Sequence, residues 1–417
     1  MANTILTSSI ILKEIYAIMH QTSNFVMRTN RQYDDRFAQQ GAKIGQSLGI
    51  RLPPKYTTRT GNTMSVQNLV ERQVALPLAT IKGVDLNLTQ EQLTFSIDRL
   101  SENVLKPAVT QLTATMEGDA LSTLYKKVAN YAPPTYSLAT TTGLTDYRQF
   151  QSAGRYLSEN LAPPDPRTFT MDPQTRVDFS TDVKGLFQSS DNIKQQYVEG
   201  RVGRTGGFEV FENTLMPAHL AGTYTGAFTV SATTSYAGTG NAYTTNFDLV
   251  VSIGTTLSLK EGDILTIAGV YDVQPETKTK YGTLKRFTVN ASTAFATGGT
   301  INVSPAPILA GAYQNVDSAP ATTAVVSVVG ASSGVAAQTY GQNLAFHRDA
   351  FAIVFADLED PTPYGAWGSR EVFDNMSLRI WRQGDIVNGT FPCRLDICYG
   401  VAAVYPEWAC RVPHYAN

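Results

Sequence analysis

The sequence predicts an α+β protein that carries a second, β-rich domain as an insertion. Two charge-poor runs mark the insertion: within 221–259 the only formal charge is Asp248, and within 301–340 it is Asp317. Thr, Gly, Ala, Ser and Tyr fill most of the first run. On both sides of this stretch, helical and strand periodicities alternate along the chain, which is typical of a mixed domain.

Length and charge narrow the class of protein. A chain of 417 residues is too long for one simple core and predicts two or three domains. Charged residues make up 16%, against the usual quarter, so much of the surface is hydroxyl and amide or is buried against other chains. The formal net charge of -2 argues against a dedicated nucleic-acid binder, which would show a basic stripe.

The first 60 residues are basic, unlike the rest. Residues 10–19 have the spacing of a short amphipathic helix, and extended, turn-rich sequence follows. Two interpretations stay open: a solvated arm, or an arm that contacts an acidic partner or DNA. Eight basic residues outnumber three acidic ones, which gives +5: Lys13, Arg28, Arg31, Arg36, Lys43, Arg51, Lys55 and Arg59 against Glu14, Asp34 and Asp35.

A projecting hairpin is predicted next. Apolar and polar residues alternate over 74–79 and again over 84–89, with Lys82-Gly83 as the turn between them. Pro77 restricts the first strand to the edge of a sheet, because proline cannot donate a ladder hydrogen bond.

The longest helical pattern covers 97–131, and Pro107 either kinks this helix or begins its main part. Residues 107–130 alone would span roughly 35 Å. The remaining predicted elements are helices near 145–161, 172–187 and 191–199, and strands at 167–171, 206–213, 259–271, 350–358, 376–380 and 391–397.

No constellation of reactive residues is evident. His20, His219, His347 and His414 lie far apart in the sequence, in no pattern with a carboxylate or a cysteine. Cys393 and Cys398 form a C-x4-C pair without a second pair, so a core-filling role is favoured over zinc. We therefore expect no catalytic residues, no cofactor and no metal site.

Three further patterns limit the interpretation. The three cysteines, which include Cys410, do not form a disulfide framework and indicate a reducing compartment. Asp357, Glu359 and Asp360 are typical of a turn, or of a weak cation site. No basic secretion signal opens the chain, and no run approaches the roughly 18 apolar residues of a membrane span.

The order of basic arm, projecting hairpin, long helix, α/β region and late antiparallel strands resembles the major capsid proteins of tailed phages, with the Hong Kong 97-type fold. The resemblance is closest to the P-22-type podophage coat proteins, which carry an inserted β-barrel domain at a similar position. Six phrases carry it: Asn30–Phe37, Leu161–Arg167, Gly206–Phe211, Lys260–Val270, Asn343–Phe351 and Arg394–Gly400.

This resemblance implies a division of the chain by segment. It also implies that Tyr236–Thr245 is a protruding loop, and it gives no reason to assign Lys82 as a crosslinking lysine. The implied segments are an N-terminal arm (1–56), an extended loop or β-hairpin (57–96), a spine helix with the first part of the peripheral and axial domains (97–220), the inserted domain (221–345) and the second part of those domains (346–417).

The resemblance further implies a structural protein, not an enzyme, that self-assembles as hexamers and pentamers into an icosahedral head around double-stranded DNA. The implied partners are a scaffolding protein, a portal protein and, in some relatives, a decoration protein. Assembly in the host cytoplasm and a place in the virion follow, without a membrane. The alternatives are a β-rich adhesin or carbohydrate-binding surface protein, a hydrolase with an unfamiliar site, and a cellular nanocompartment shell.

Overall fold

The computed structural model describes two compact units. Unit 1 comprises 1–50, 74–120 and 351–404, and unit 2 comprises 51–73, 121–350 and 405–417. The residues that the structure describes are 15, 19, 23–31, 47–64, 66–68, 71–89, 106–133, 147–183, 204–231, 244–254, 256–331, 334, 337–359, 367–373, 376–384 and 390–414.

Three α-helices lie within these ranges: α1 (Lys106–Leu124), α2 (Tyr147–Glu159) and α3 (Pro173–Val183). A 3-10 turn, Tyr125–Lys127, follows α1 directly. Pro107 is the second described residue of α1. The 19 residues of α1 extend for about 29 Å. The predicted helix at 191–199 lies outside the described residues, as do 97–105.

The strands account for most of the remaining structure. In chain order they are β1 (Ser47–Leu52), β2 (Arg72–Pro77), β3 (Thr80–Thr89), β4 (Arg167–Met171), β5 (Arg204–Thr205), β6 (Phe208–Glu212), β7 (Ala218–Leu220), β8 (Thr223–Thr225), β9 (Phe228–Val230), β10 (Phe247–Ile253), β11 (Thr256–Leu259), β12 (Ile264–Val273), β13 (Lys280–Val289), β14 (Thr293–Phe295), β15 (Gly298–Ser304), β16 (Val326–Val328), β17 (Thr339–His347), β18 (Phe351–Ala356), β19 (Trp367–Phe373), β20 (Met376–Arg382), β21 (Thr390–Ala403) and β22 (Ala409–His414).

The sheet of unit 1 is centred on β21. This strand pairs with β18, β20 and β3, and β19 adds the outer edge next to β20. In β20 the predicted apolar residues Met376, Leu378 and Ile380 are all buried, although Ser377 between them is buried too, and β18 is apolar and almost wholly buried, as the sequence predicts.

The predicted turn at Lys82-Gly83 is wrong, because both residues lie inside β3. β3 pairs with β21 at ten register positions, from Thr80 opposite Tyr399 to Thr89 opposite Thr390, while β2 pairs with β1. Gly83 serves close packing instead of a turn: a Cβ atom there would lie 2.5 Å from Oδ1 of Asp396.

A buried carboxylate anchors the N-terminal segment of unit 1. Glu117 on α1 accepts hydrogen bonds from Oγ of Ser23 at 2.7 Å, the backbone N–H of Phe25 at 2.8 Å and that of Val26 at 3.3 Å. The two backbone donors begin the 3-10 turn Val26–Arg28, so the carboxylate satisfies N–H groups that the turn itself leaves free.

Replacing Glu117 with alanine is expected to lower the free energy of unfolding by about 3 kcal/mol, because three donors lose an acceptor and a buried unsatisfied group costs about 1–3 kcal/mol. Urea unfolding of the purified chain measures the change. The Glu117→Gln variant keeps a carbonyl acceptor and should lose less, and Glu276→Ala, at an exposed position, is the control. Equal stability of Glu117→Ala and this control would contradict the anchor.

Unit 2 contains a second mixed sheet. Its strand order is β22-β17-β4-β6-β5, with β7 pairing to β17, and only β4 and β6 are parallel. One face packs on α2 and α3 through an aromatic cluster. Phe150 of α2 lies 4.9 Å from both Phe169 and Phe179, between ring centroids, and 5.3 Å from Phe208.

The β-rich segment of unit 2 consists of two sheets. Six strands form one sheet in the order β16-β12-β13-β15-β10-β9, and three form the other in the order β14-β11-β8. The nineteen buried side chains of one apolar cluster all lie between Phe228 and Val328. Residues 236–243 of the predicted protruding loop lie outside the described residues.

The inserted domain predicted from the sequence, 221–345, ends too late. β17 begins at Thr339 and pairs with β4, β7 and β22, so residues 339–345 lie in the other sheet. The charge-poor run continues past the β-rich segment because β17 is itself almost fully buried.

Candidate assembly surfaces and a buried polar network

An exposed loop precedes β2 and carries large apolar side chains. Tyr56, Met64 and Val66 are 64%, 78% and 77% exposed. The loop is closed by the Gln67 side chain, which accepts from the backbone N–H of Thr57 at 2.9 Å and donates to its carbonyl oxygen at 2.5 Å. A closed loop that presents several apolar side chains to water is a candidate contact surface for another chain.

Two further large apolar side chains of unit 1 are exposed, on opposite faces of its sheet. Ile81 of β3, opposite Cys398, is 54% exposed, and Trp367 at the start of β19, on the face of Cys393, is partly exposed with the guanidinium of Arg382 4.3 Å from the centre of its ring. The arginine restricts the indole to one orientation through a cation–π contact.

An arginine–aspartate cluster stabilises the same sheet. The Asp396 carboxylate is fully buried and lies 2.6 Å from Nη2 of Arg379 and 2.6 Å from Nε of Arg394. Hydrogen bonding to Asp396 raises the pKa of Arg394. The absence of a side chain at Gly83 leaves room for this carboxylate.

Three of the four histidines lie beside aspartates, which their spacing in the sequence does not indicate. Nε2 of His219 lies 2.9 Å from Oδ1 of Asp263, and Nε2 of His414 lies 3.0 Å from Oδ2 of Asp178. Nδ1 of His347 lies 3.7 Å from Oδ2 of Asp349. His20 lies outside the described residues.

The His219 pair extends into a buried chain of three side chains. The Tyr125 hydroxyl lies 3.1 Å from Nδ1 of His219, and Asp263 also accepts from the backbone N–H groups of Lys260 at 2.7 Å and Gly222 at 3.1 Å. Burial raises the pKa of the Tyr125 hydroxyl, so the hydroxyl keeps its proton.

This order of groups resembles a catalytic relay, yet His219 and Asp263 are 3% and 0% exposed and no substrate reaches them. The network connects the turn after α1 and strand β7 to the Lys260–Asp263 turn of the β-rich segment. The role of the network is therefore structural. Sequence spacing missed it because the tyrosine, histidine and aspartate come from three distant elements; the Gly262-Asp263 dipeptide is a local turn signal that says nothing about the pairing with His219.

The other sequence candidates occupy structural positions. Cys393 is buried, as predicted, and burial raises the pKa of its thiol. Asp357 lies 3.2 Å from Nη1 of Arg370 and accepts from the Ser377 hydroxyl. Nζ of Lys82 lies 3.0 Å from Oδ2 of Asp119.

Within the described part of the chain, no helix is long and apolar enough to cross a membrane. No group of three or more His, Cys, Asp and Glu side chains among the described residues is placed to hold a metal ion.

A weakly charged α+β chain with exposed apolar surfaces and buried, sealed titratable groups has the properties of a shell subunit. The family model described as "P22 coat protein - gene protein 5" matches residues 2–411. The chain therefore belongs to the P22 coat protein family: it is a structural protein, a major capsid protein of which many copies form a phage head.

Solved capsid structures are similar to this chain at low identity. The capsid of cyanophage P-SCSP1u is 10% identical with a TM-score of 0.46, covering 95% of this chain and 90% of that one. The capsid of Ralstonia phage GP4 is 8% identical with a TM-score of 0.45, covering 95% and 92%. The CUS-3 coat protein I-domain is 29% identical with a TM-score of 0.18, covering 26% of this chain and 96% of that one. No curated protein matches the chain.

Proposed function

We propose that this protein assembles as hexamers and pentamers into an icosahedral shell with the Hong Kong 97-type fold, enclosing double-stranded DNA. The observation that carries the proposal is the family match over residues 2–411. The exposed Tyr56, Met64 and Val66 support it, because shell subunits need apolar area that becomes buried only between copies.

The proposed role has no catalytic step and requires no cofactor. The pairing of His219 with Asp263, of His414 with Asp178 and of Arg379 with Asp396 supports this, since these polar side chains stabilise the fold. The formal net charge of -2 fits the inner surface of a shell that encloses DNA without binding its phosphates tightly.

We further propose that the basic N-terminal arm, with its excess of five positive charges in residues 1–60, contacts an acidic scaffolding protein in the host cytoplasm, and that a portal protein occupies one vertex. The β-rich segment is proposed as an inserted domain. Its own apolar cluster, confined to residues between Phe228 and Val328, supports that proposal.

Electron microscopy of the purified chain tests the shell. Co-expression with a scaffolding protein should give closed shells, and a Met64→Asp, Val66→Asp double variant should remain dispersed with unchanged circular dichroism, because two charges at an apolar contact oppose its burial. Asn62→Asp, an exposed polar position in the same loop, is the control and should assemble. Persistence of the unmodified chain as single subunits under every condition would refute the shell.

A further inference from the structure

Arg411 of β22 is the largest of the fully buried side chains in the described structure, and two of its guanidinium nitrogens lack a hydrogen-bond partner there. Neither Nε nor Nη2 of its guanidinium has a hydrogen-bond partner among the described residues. These two nitrogens present parallel N–H groups along one side of the guanidinium, the side with which arginine binds carboxylates and other anions in a bidentate manner.

The neighbouring groups leave the charge of Arg411 without a direct counterion. Within the described part of the chain, no carboxylate forms an ion pair with it. Asp263 contributes a favourable field from farther away, and its oxygens already accept from His219, Lys260 and Gly222. The ring of Tyr125 lies 5.7 Å from the guanidinium carbon, and burial lowers the pKa of Arg411.

A second unpartnered group lies on the same face of the sheet. In the pairing of β17 with β22, Gln342 is opposite Pro413 and Leu344 is opposite Arg411. Gln342 and Arg411 are therefore diagonal neighbours with side chains on one face, within reach of each other for long side chains. Gln342 is 1% exposed, and neither its Nε2 nor its Oε1 has a partner among the described residues.

We propose that the side-on N–H pair of Arg411 and the Nε2 amide of Gln342 form a buried binding site for one small monovalent anion of the halide class. Three N–H donors from two side chains match the requirements of such an ion. A water molecule would satisfy hydrogen bonds but would leave the guanidinium charge without a counterion in a low-dielectric interior, where an unpaired charge is costly.

The ion has to be small because both residues are sealed from solvent, at 0% and 1% exposure. The same burial excludes a carboxylate from a neighbouring copy of the chain. This inference goes beyond the proposed function, since the site lies inside one subunit and is independent of assembly.

Thermal unfolding of the full chain as a dispersed monomer tests the site at constant ionic strength, with chloride replaced stepwise by gluconate, which is too large to enter. The Tm should rise with chloride, by a constant increment for each tenfold increase above the dissociation constant, as for any ligand that binds only the folded state. Bromide should substitute for chloride, and 35Cl NMR should show exchange broadening in the folded chain.

Two site variants and one control make the test decisive. Gln342→Leu should weaken the chloride dependence, and Arg411→Met should remove both the dependence and the 35Cl broadening. Arg394→Met, a partly exposed arginine, should keep them. If Arg411→Met does not fold, Gln342→Leu still decides. Equal Tm values in chloride and gluconate, or an unchanged dependence in both site variants, would overturn the proposal.

Discussion

Replacing Asp263 with alanine should lower the free energy of unfolding of unit 2 by about 3–5 kcal/mol, because three hydrogen-bond donors lose their acceptor and each buried unsatisfied group costs about 1–3 kcal/mol. The fully buried carboxylate accepts from Nε2 of His219 and from the backbone N–H groups of Lys260 and Gly222. All three donors would lose this acceptor. Urea unfolding followed by circular dichroism measures the change.

Two further variants test whether the loss of stability comes from removing this buried carboxylate. Asp263→Asn keeps the shape of the side chain and one acceptor oxygen. Its free energy of unfolding should therefore lie between those of Asp263→Ala and the unmodified chain. Asp248→Ala removes an exposed carboxylate from β10 and should change stability by about 0.5 kcal/mol or less. If Asp263→Ala behaves like Asp248→Ala, the network does not stabilise the fold.

The isolated fragment 221–338 should fold on its own and unfold cooperatively. Its ends are already close, because the backbone N–H of Ala221 donates to the carbonyl oxygen of Gln338 at 3.0 Å. The nineteen residues of its apolar cluster come entirely from within the fragment. A domain that contains its own hydrophobic core can fold alone, and in this fragment, which lacks His219, Asp263 keeps only its backbone donors. Thermal denaturation by circular dichroism is the measurement.

A matched pair of variants checks that this core is the cause. Leu249→Ala, at a fully buried position, should destabilise the fragment by about 2–5 kcal/mol. Thr300→Ala, at an exposed position of the neighbouring strand β15, should have almost no effect. A fragment that shows no cooperative transition would refute independent folding.

The periodicity of apolar residues predicted much of the fold, because burial of one face repeats along each helix or strand with that element's own period. The alternation of Met376, Leu378 and Ile380 gave β20, and the apolar run after residue 350 gave β18. The boundary of the β-rich segment was placed too late, since buried strand β17 is as poor in charge as the segment itself.

Pairing over long distances was not predictable in the same way. Lys82-Gly83 has the composition of a turn, yet both residues lie within strand β3. The glycine is explained by close packing, because a side chain at position 83 would clash with Asp396, which is far away in the sequence. The contact between His219 and Asp263 likewise follows from no periodic pattern in the sequence. Such contacts are set by sheet topology, which a single sequence does not encode locally.

The pairing of β3 with β21 has a consequence during synthesis. Thr80 meets Tyr399 across the ladder, so about 300 residues are translated between one strand and its partner. At roughly 5–20 residues per second, the ribosome needs about 15–60 s before the second strand emerges. For that interval the nascent β3 has an unsatisfied backbone edge, and we expect newly made chains to depend on a holding chaperone or on slow growth at low temperature.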